Sequence, residues 1–176
     1  MSLSFKIAAI SGLIMLTAFA SAVPSAQKVS DTVVHAQGLT FASGIYGLCI
    51  NGLAFQQEAV MSHNGWQYVT YYNSGRRICL SRRQLPAGAW QTIEFSDYYF
   101  SGTDAHNVVV MGICPNDGTI HLAYDHHGST LHYRVSQPDV AANPALYTWS
   151  ASLFGANRNY LETGKTLTYV TYPRFF

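Results

Sequence analysis

The chain has 176 residues, a formal net charge of +1, only 11% charged residues and 14% aromatic ones. So little charge, with lysine and arginine unclustered, excludes a nucleic-acid-binding face, which must gather cations against phosphates. Twelve tyrosines among many Val, Thr, Ile and Phe favour pleated, half-buried strands, and the same aromatics suit a sugar-binding surface.

The chain opens with a stretch that does not belong to a fold. Met1–Ala22 carries one Lys6, an apolar core through Leu16, and small residues at Ala20-Ser21-Ala22. This reads as a secretory signal peptide, which makes the mature protein secreted and extracellular, with no membrane contact after cleavage. The alternative, a membrane anchor, is disfavoured because the apolar core is short and no basic stop-transfer cluster follows. Residues 23–176 are then long enough for one domain with a real core.

Short strand-like runs follow, separated by turn signals. They are Trp66–Tyr72, Ile78–Ser81, Val108–Cys114, Ile120–Asp125, Leu131–Ser136 and Thr166–Thr171. Turns are expected at Asn73-Ser74-Gly75, at Pro115–Gly118 and at His127-Gly128-Ser129. This is the pattern of an antiparallel meander. The basic run Arg76-Arg77 and Arg82-Arg83 reads as a solvated strand end. Cys49, Cys79 and Cys114 lie in an oxidising compartment, where one pair could join; their spacing offers no zinc site.

The strand–turn–Gly–strand unit recurs at an offset of 53 residues, which sets Gly65–Tyr71 on Gly118–Tyr124 and Gly75 on Gly128. A period near 50 with about four strands per unit is the signature of a propeller blade. The expected fold is all-β: a partial β-propeller of about two four-stranded blades and the start of a third near Thr166. A propeller needs four or more blades to close, so the sequence reads as the N-terminal portion of a longer ring. A small β-sandwich is the structural alternative.

Five histidines fall between residues 106 and 132. With Pro115–Gly118 as a hairpin turn, residues whose numbers total about 233 face each other, so His106 falls opposite His127 and beside His126. At the 53-residue offset these positions correspond to Leu53, Asn73 and Ser74, so the scaffold itself does not demand histidine there. His121 and His132 read as ordinary strand residues. The rim histidines could be catalytic acids and bases, a pair simply hydrogen-bonded to Asp104 and Asp125, or, with those two aspartates, mixed ligands for a metal.

The run Asp104-Ala105-His106-Asn107, then Gly112 to Gly128, then Trp149–Gly155 and Val170–Phe175, resembles the BNR-4 repeat proteins. Seven-bladed propeller polysaccharide lyases, including ulvan lyases and rhamnose–glucuronate lyases, share that architecture. The resemblance implies a lyase that cleaves an acidic, uronate-containing polysaccharide by β-elimination, using two histidines and a tyrosine as acid and base and an arginine on the substrate carboxylate. By motif these are His106, His126 and Tyr172, with His127 kept as second choice because hairpin parity favours it. Asn107 and Arg174 are the substrate-binding candidates, Arg174 a weak one. No cofactor is required; a structural ion such as calcium is compatible with the fold. The competing readings are a non-catalytic carbohydrate-binding propeller and an inactive fragment of a lyase. A sialidase-like hydrolase is disfavoured, because the arginines near residues 76–83 make no spacing that fits its acid and nucleophile set.

Overall fold

A computed structural model describes residues 25–40, 49–52, 58–161 and 164–176. The expected signal peptide, Met1–Ala22, lies outside the described residues. The chain divides into two units, residues 1–32 and 33–176. In the first, residues 25–32 are exposed and without regular secondary structure, with an ion pair between Lys28 and Asp31 at 2.7 Å. No helix among the described residues is long and apolar enough to cross a membrane.

The second unit is built from antiparallel β-sheet. Strands β1 (Val60–His63), β2 (Trp66–Tyr72), β3 (Ile78–Gln84) and β4 (Gln91–Phe95) form a four-stranded meander in that order. Between β1 and β2 the turn has two residues, Asn64 and Gly65, both at positive φ (47° and 74°), the conformation that a tight hairpin's twist requires. Strands β5 (Val109–Ile113), β6 (Ile120–Tyr124) and β8 (Tyr133–Val135) form a second sheet, and β7 (His127–Ser129) pairs with β9 (Val170–Thr171).

The sheets pack face to face, with β1 and β2 against β5. Strand β5 therefore has Val109, Val110, Met111 and Gly112 all buried, and reads as a continuous apolar run rather than an alternating one. The core joins Tyr68, Tyr72, Ile78, Leu80 and Phe95 from the first sheet to Val110, Met111, Leu122 and Tyr124 from the second.

Most of the expected strands are present, and the internal repeat is visible as β2 and β3 recurring in β6 and β8. Several expectations are corrected. The second sheet has three strands, not four. Its outer position is taken by an edge segment that pairs through the isolated bridges Tyr133↔Arg158 and Ser136↔Phe154. His127-Gly128-Ser129 is strand, with a register shift, because β9 supplies it with a partner. The run from Thr166 narrows to Val170–Thr171 and pairs back onto β7.

Arg82 is not solvated either. It is 3% exposed, lies between the rings of Trp66 and Trp149 (4.7 and 4.4 Å), and donates to Pro144 O (2.8 Å) and Tyr147 O (2.7 Å). The guanidinium gives Pro144 O a second donor beside the Tyr147 N–H of the short 3-10 turn, Pro144–Leu146, and supplies one to Tyr147 O. Arg134 does a similar task in the second sheet: it lies over Phe95 (4.0 Å) and pairs with Asp97 at 2.6 Å. The three cysteines remain thiols. Burial, and then Glu94 nearby, pushes Cys79 up to about 12.

Two features give stability predictions. Gly112 faces Phe175 so closely that an added Cβ would overlap the phenylalanine side chain. Gly112→Ala should displace the segment around Phe175 and cost about 1–3 kcal/mol in urea unfolding. The second concerns His126, which is 1% exposed and whose Nε2 accepts from the His132 backbone N–H at 2.8 Å. Burial, and then His132, lowers its pKa from 6.5 to about 4. Between those values the unfolded chain holds a proton that the folded chain refuses, so stability falls as pH drops from 6.5 to 4. In His126→Asn the slope of unfolding free energy against pH should flatten over that window, by up to about 3 kcal/mol in all. Equal slopes for the two proteins would contradict this.

Candidate active site

The β5–β6 pairing runs Val109↔Tyr124 through Ile113↔Ile120. Carried back three residues before the start of β5, the same register brings His106 against His127. Their ring centroids are 4.7 Å apart. Strand pairing between His127 and Thr171 then sets the next residue, Tyr172, over the pair. The tyrosine ring lies 5.6 Å from His127, stacked at 19°, and 6.0 Å from His106. Tyr172 sits at φ 49° and is 39% exposed, so an unusual backbone conformation holds an aromatic ring at the rim.

One carboxylate organises both imidazoles. Asp104 Oδ1 lies 2.6 Å from His106 Nδ1 and accepts the His106 backbone N–H at 2.9 Å, while Oδ2 lies 2.7 Å from His127 Nδ1. Burial alone would raise the Asp104 pKa. The bonds from the His106 backbone, His127 and His106 outweigh it and hold the group below the usual carboxylate value, hence ionised. An ionised carboxylate only accepts, so both Nδ1 atoms carry a proton and each Nε2 points away from Asp104. The rim thus brings two oriented imidazoles and a phenol together.

His126 belongs to the core behind this rim. Adjacent residues of an extended segment point to opposite sides, and Asp125, at φ 62°, turns the chain just before them. The structure therefore brings His106, His127 and Tyr172 together and seats His126 beneath them, against His132 (ring centroids 5.8 Å apart).

Asn107 is a support of the rim. Its amide donates to Asp125, which also accepts from Tyr98, and its carbonyl accepts from Tyr72 at 2.9 Å. Arg174 pairs with Glu58 at 3.6 Å and donates to Pro173 O. Sequence reasoning named Asp104 and Asp125 as partners of the rim histidines; the structure gives Asp104 to both rings and the Asp125 carboxylate to Tyr98 and Asn107. His121 is held at both ring nitrogens, by Thr119 (2.8 Å) and Tyr133 (2.6 Å), as a structural histidine would be.

Asp104, His106 and His127 are, among the described residues, the one group of such side chains close enough to share a metal ion. In this geometry Asp104 holds both Nδ1 protons, so an ion there would have to displace them. Of the mixed ligand set expected from sequence, Asp125 is occupied by Tyr98 and Asn107, and His126 is buried.

Known proteins resemble this chain in both sequence and fold. An ulvan lyase, long isoform, of Pseudoalteromonas sp. (strain PLSV) is 29% identical over 108 residues, 56% of this chain and 10% of the relative. An ulvan lyase, long isoform, of Glaciecola sp. (strain KUL10) is 33% identical over 79 residues, 40% of this chain and 8% of the relative. An ulvan lyase, short isoform, of Alteromonas sp. (strain LOR) is 32% identical over 79 residues, 40% of this chain and 15% of the relative. The crystal structure of the polysaccharide lyase Uly1 superposes with a TM-score of 0.60 at 22% identity, covering 84% of this chain and 37% of that one. The chain thus spans a small part of each relative. The family model for BNR repeat-containing proteins, BNR-4, matches residues 66–176, well over half of the sequence, and the chain belongs to that family.

Proposed function

We propose that this protein is part of a secreted polysaccharide lyase that cleaves a uronate-containing glycan by β-elimination, and that its two sheets are successive blades of a propeller. The observation that carries the reading is the Asp104-bridged pair His106 and His127 with Tyr172 stacked on it. The similarity to ulvan lyases supports the substrate class, and Met1–Ala22 supports secretion.

The chemistry needs three groups. One takes the C5 proton of the uronate, one offsets the growing charge on its carboxylate, and one gives a proton to O4 as the C4–O4 bond breaks. The electron pair of the C5–H bond becomes the C4–C5 double bond of the product. An imidazole Nε2 lone pair is the base. The second imidazole, once protonated and held against Asp104, is the donor facing the carboxylate. Tyr172 O–H is the acid for O4. Asp104 fixes ring orientation and tautomer, as a carboxylate behind a catalytic histidine does. His126 is too buried to meet a sugar.

A non-catalytic glycan-binding module is the second reading, favoured by the exposed tyrosines Tyr169 (86%) and Tyr172, whose rings can stack on pyranose faces.

The test follows unsaturated uronate by its ultraviolet absorbance, using ulvan and other uronate glycans as substrates. Turnover should fall at least about 100-fold in His106→Ala and in His127→Ala, and little in His126→Asn. Binding without any unsaturated product would favour the second reading. Asp104→Asn should lower turnover by about 10- to 100-fold, with binding largely kept, since the amide frees at least one ring to adopt the wrong tautomer.

A further inference from the structure

A cavity of about 610 Å3 lies beside β8, walled by Thr130, His132, Asn157, Arg158, Asn159 and Tyr160. That volume is within the range of small-ligand sites. Thr130 directly follows Ser129, the last residue of β7, so the cavity begins where the strand carrying His127 ends.

Arg158 lines this cavity and also the neighbouring one that it shares with Asp117, His121 and Tyr133. Its backbone is bonded in both directions to Tyr133, N to O at 2.9 Å and O to N at 3.0 Å, which fixes the edge segment on the sheet. The guanidinium lies over the Tyr133 ring at 4.8 Å and 5.5 Å from the Tyr160 ring. Two aromatic rings orient its plane without neutralising it. Among the described residues no carboxylate lies within ion-pair distance of Arg158, and its buried Nε has no hydrogen-bond partner. Arg158 itself is half-buried, and the contrast with the buried Arg82 and Arg134 is plain. Arg134 is neutralised by Asp97, and Arg82 spends its donors on two carbonyls and on Gln91. A buried donor left unmet is costly, and an oriented guanidinium fork matches a carboxylate in two parallel bonds.

We propose that Arg158 anchors a second sugar-binding subsite, which takes the carboxylate of a uronate unit away from the bond being cleaved. The choice of a uronate rests on the proposed function; the anionic character of the subsite rests on Arg158 itself. Asn157, Asn159 and Thr130 line the same cavity with groups suited to sugar hydroxyls. An acidic chain held here and at His127 would be gripped at two of its charges, which sets both register and affinity.

The test is calorimetric titration of the purified chain with a glucuronate-containing tetrasaccharide and with its carboxyl-reduced counterpart. The native chain should prefer the acidic form. Arg158→Gln should weaken acidic binding about tenfold and leave binding of the reduced form unchanged, while Arg158→Lys should recover part of the loss. In a His127→Ala background the Arg158→Gln effect should persist. Equal affinity of Arg158→Gln and native chain for the acidic form would overturn the proposal. So would equal losses for both sugars in Arg158→Gln and Arg158→Lys, which would make Arg158 a packing residue. An intact Arg158 effect with no unsaturated product would instead overturn the lyase reading and leave this subsite standing.

Discussion

The site depends on the register of a single hairpin. Val109 pairs with Tyr124, and the approach of His106 to His127 is an extension of that pairing, onto which β9 then brings Tyr172. A shift of one residue would move every side chain of β6 to the opposite face. The core would then receive His121 and lose Leu122 and Tyr124, so apolar packing locks the register, and through it the approach of His106 to His127. The geometry of the rim is thereby stabilised by Met111, Leu122 and their neighbours in the core.

Around that hairpin the molecule uses arginine where the backbone lacks partners. Arg82 and Arg134 are both almost fully buried, both lie on aromatic rings, and both spend their donors on irregular outer segments. They occupy comparable places in the two sheets, on β3 and β8. The repeat therefore conserves a way of fastening a loop as well as a strand order. Arg158 has the same aromatic setting without the partner, which is why it stands out.

Much of this was legible in the sequence. β2 has the bounds that its alternation implied, and the Pro115–Gly118 turn placed the strand pairs correctly, because two-residue periodicity and turn chemistry are local. The meeting of His106 with His127 follows from the same arithmetic. Other features depended on partners far along the chain. His127–Ser129 looks like a turn until β9 arrives to pair with it. Arg82 looks solvated until Trp149 and the carbonyls of residues 144 and 147 close over it. Motif likeness pointed to His126 and hairpin parity to His127. The structure separates them by burial, something neither a motif nor a spacing contains. The bridging role of Asp104 needs both rings in place before it can be seen.

The histidine doublet has an implication for how such a site can change over generations. His126 and His127 face opposite ways on neighbouring positions, one packed and one presented. Loss or gain of one residue in the irregular stretch from Asp125 to Ser129 would exchange their orientations and still leave an imidazole at the rim. A rim built on twin residues beside a bulge thus keeps an imidazole through a one-residue insertion or deletion that would remove a lone one.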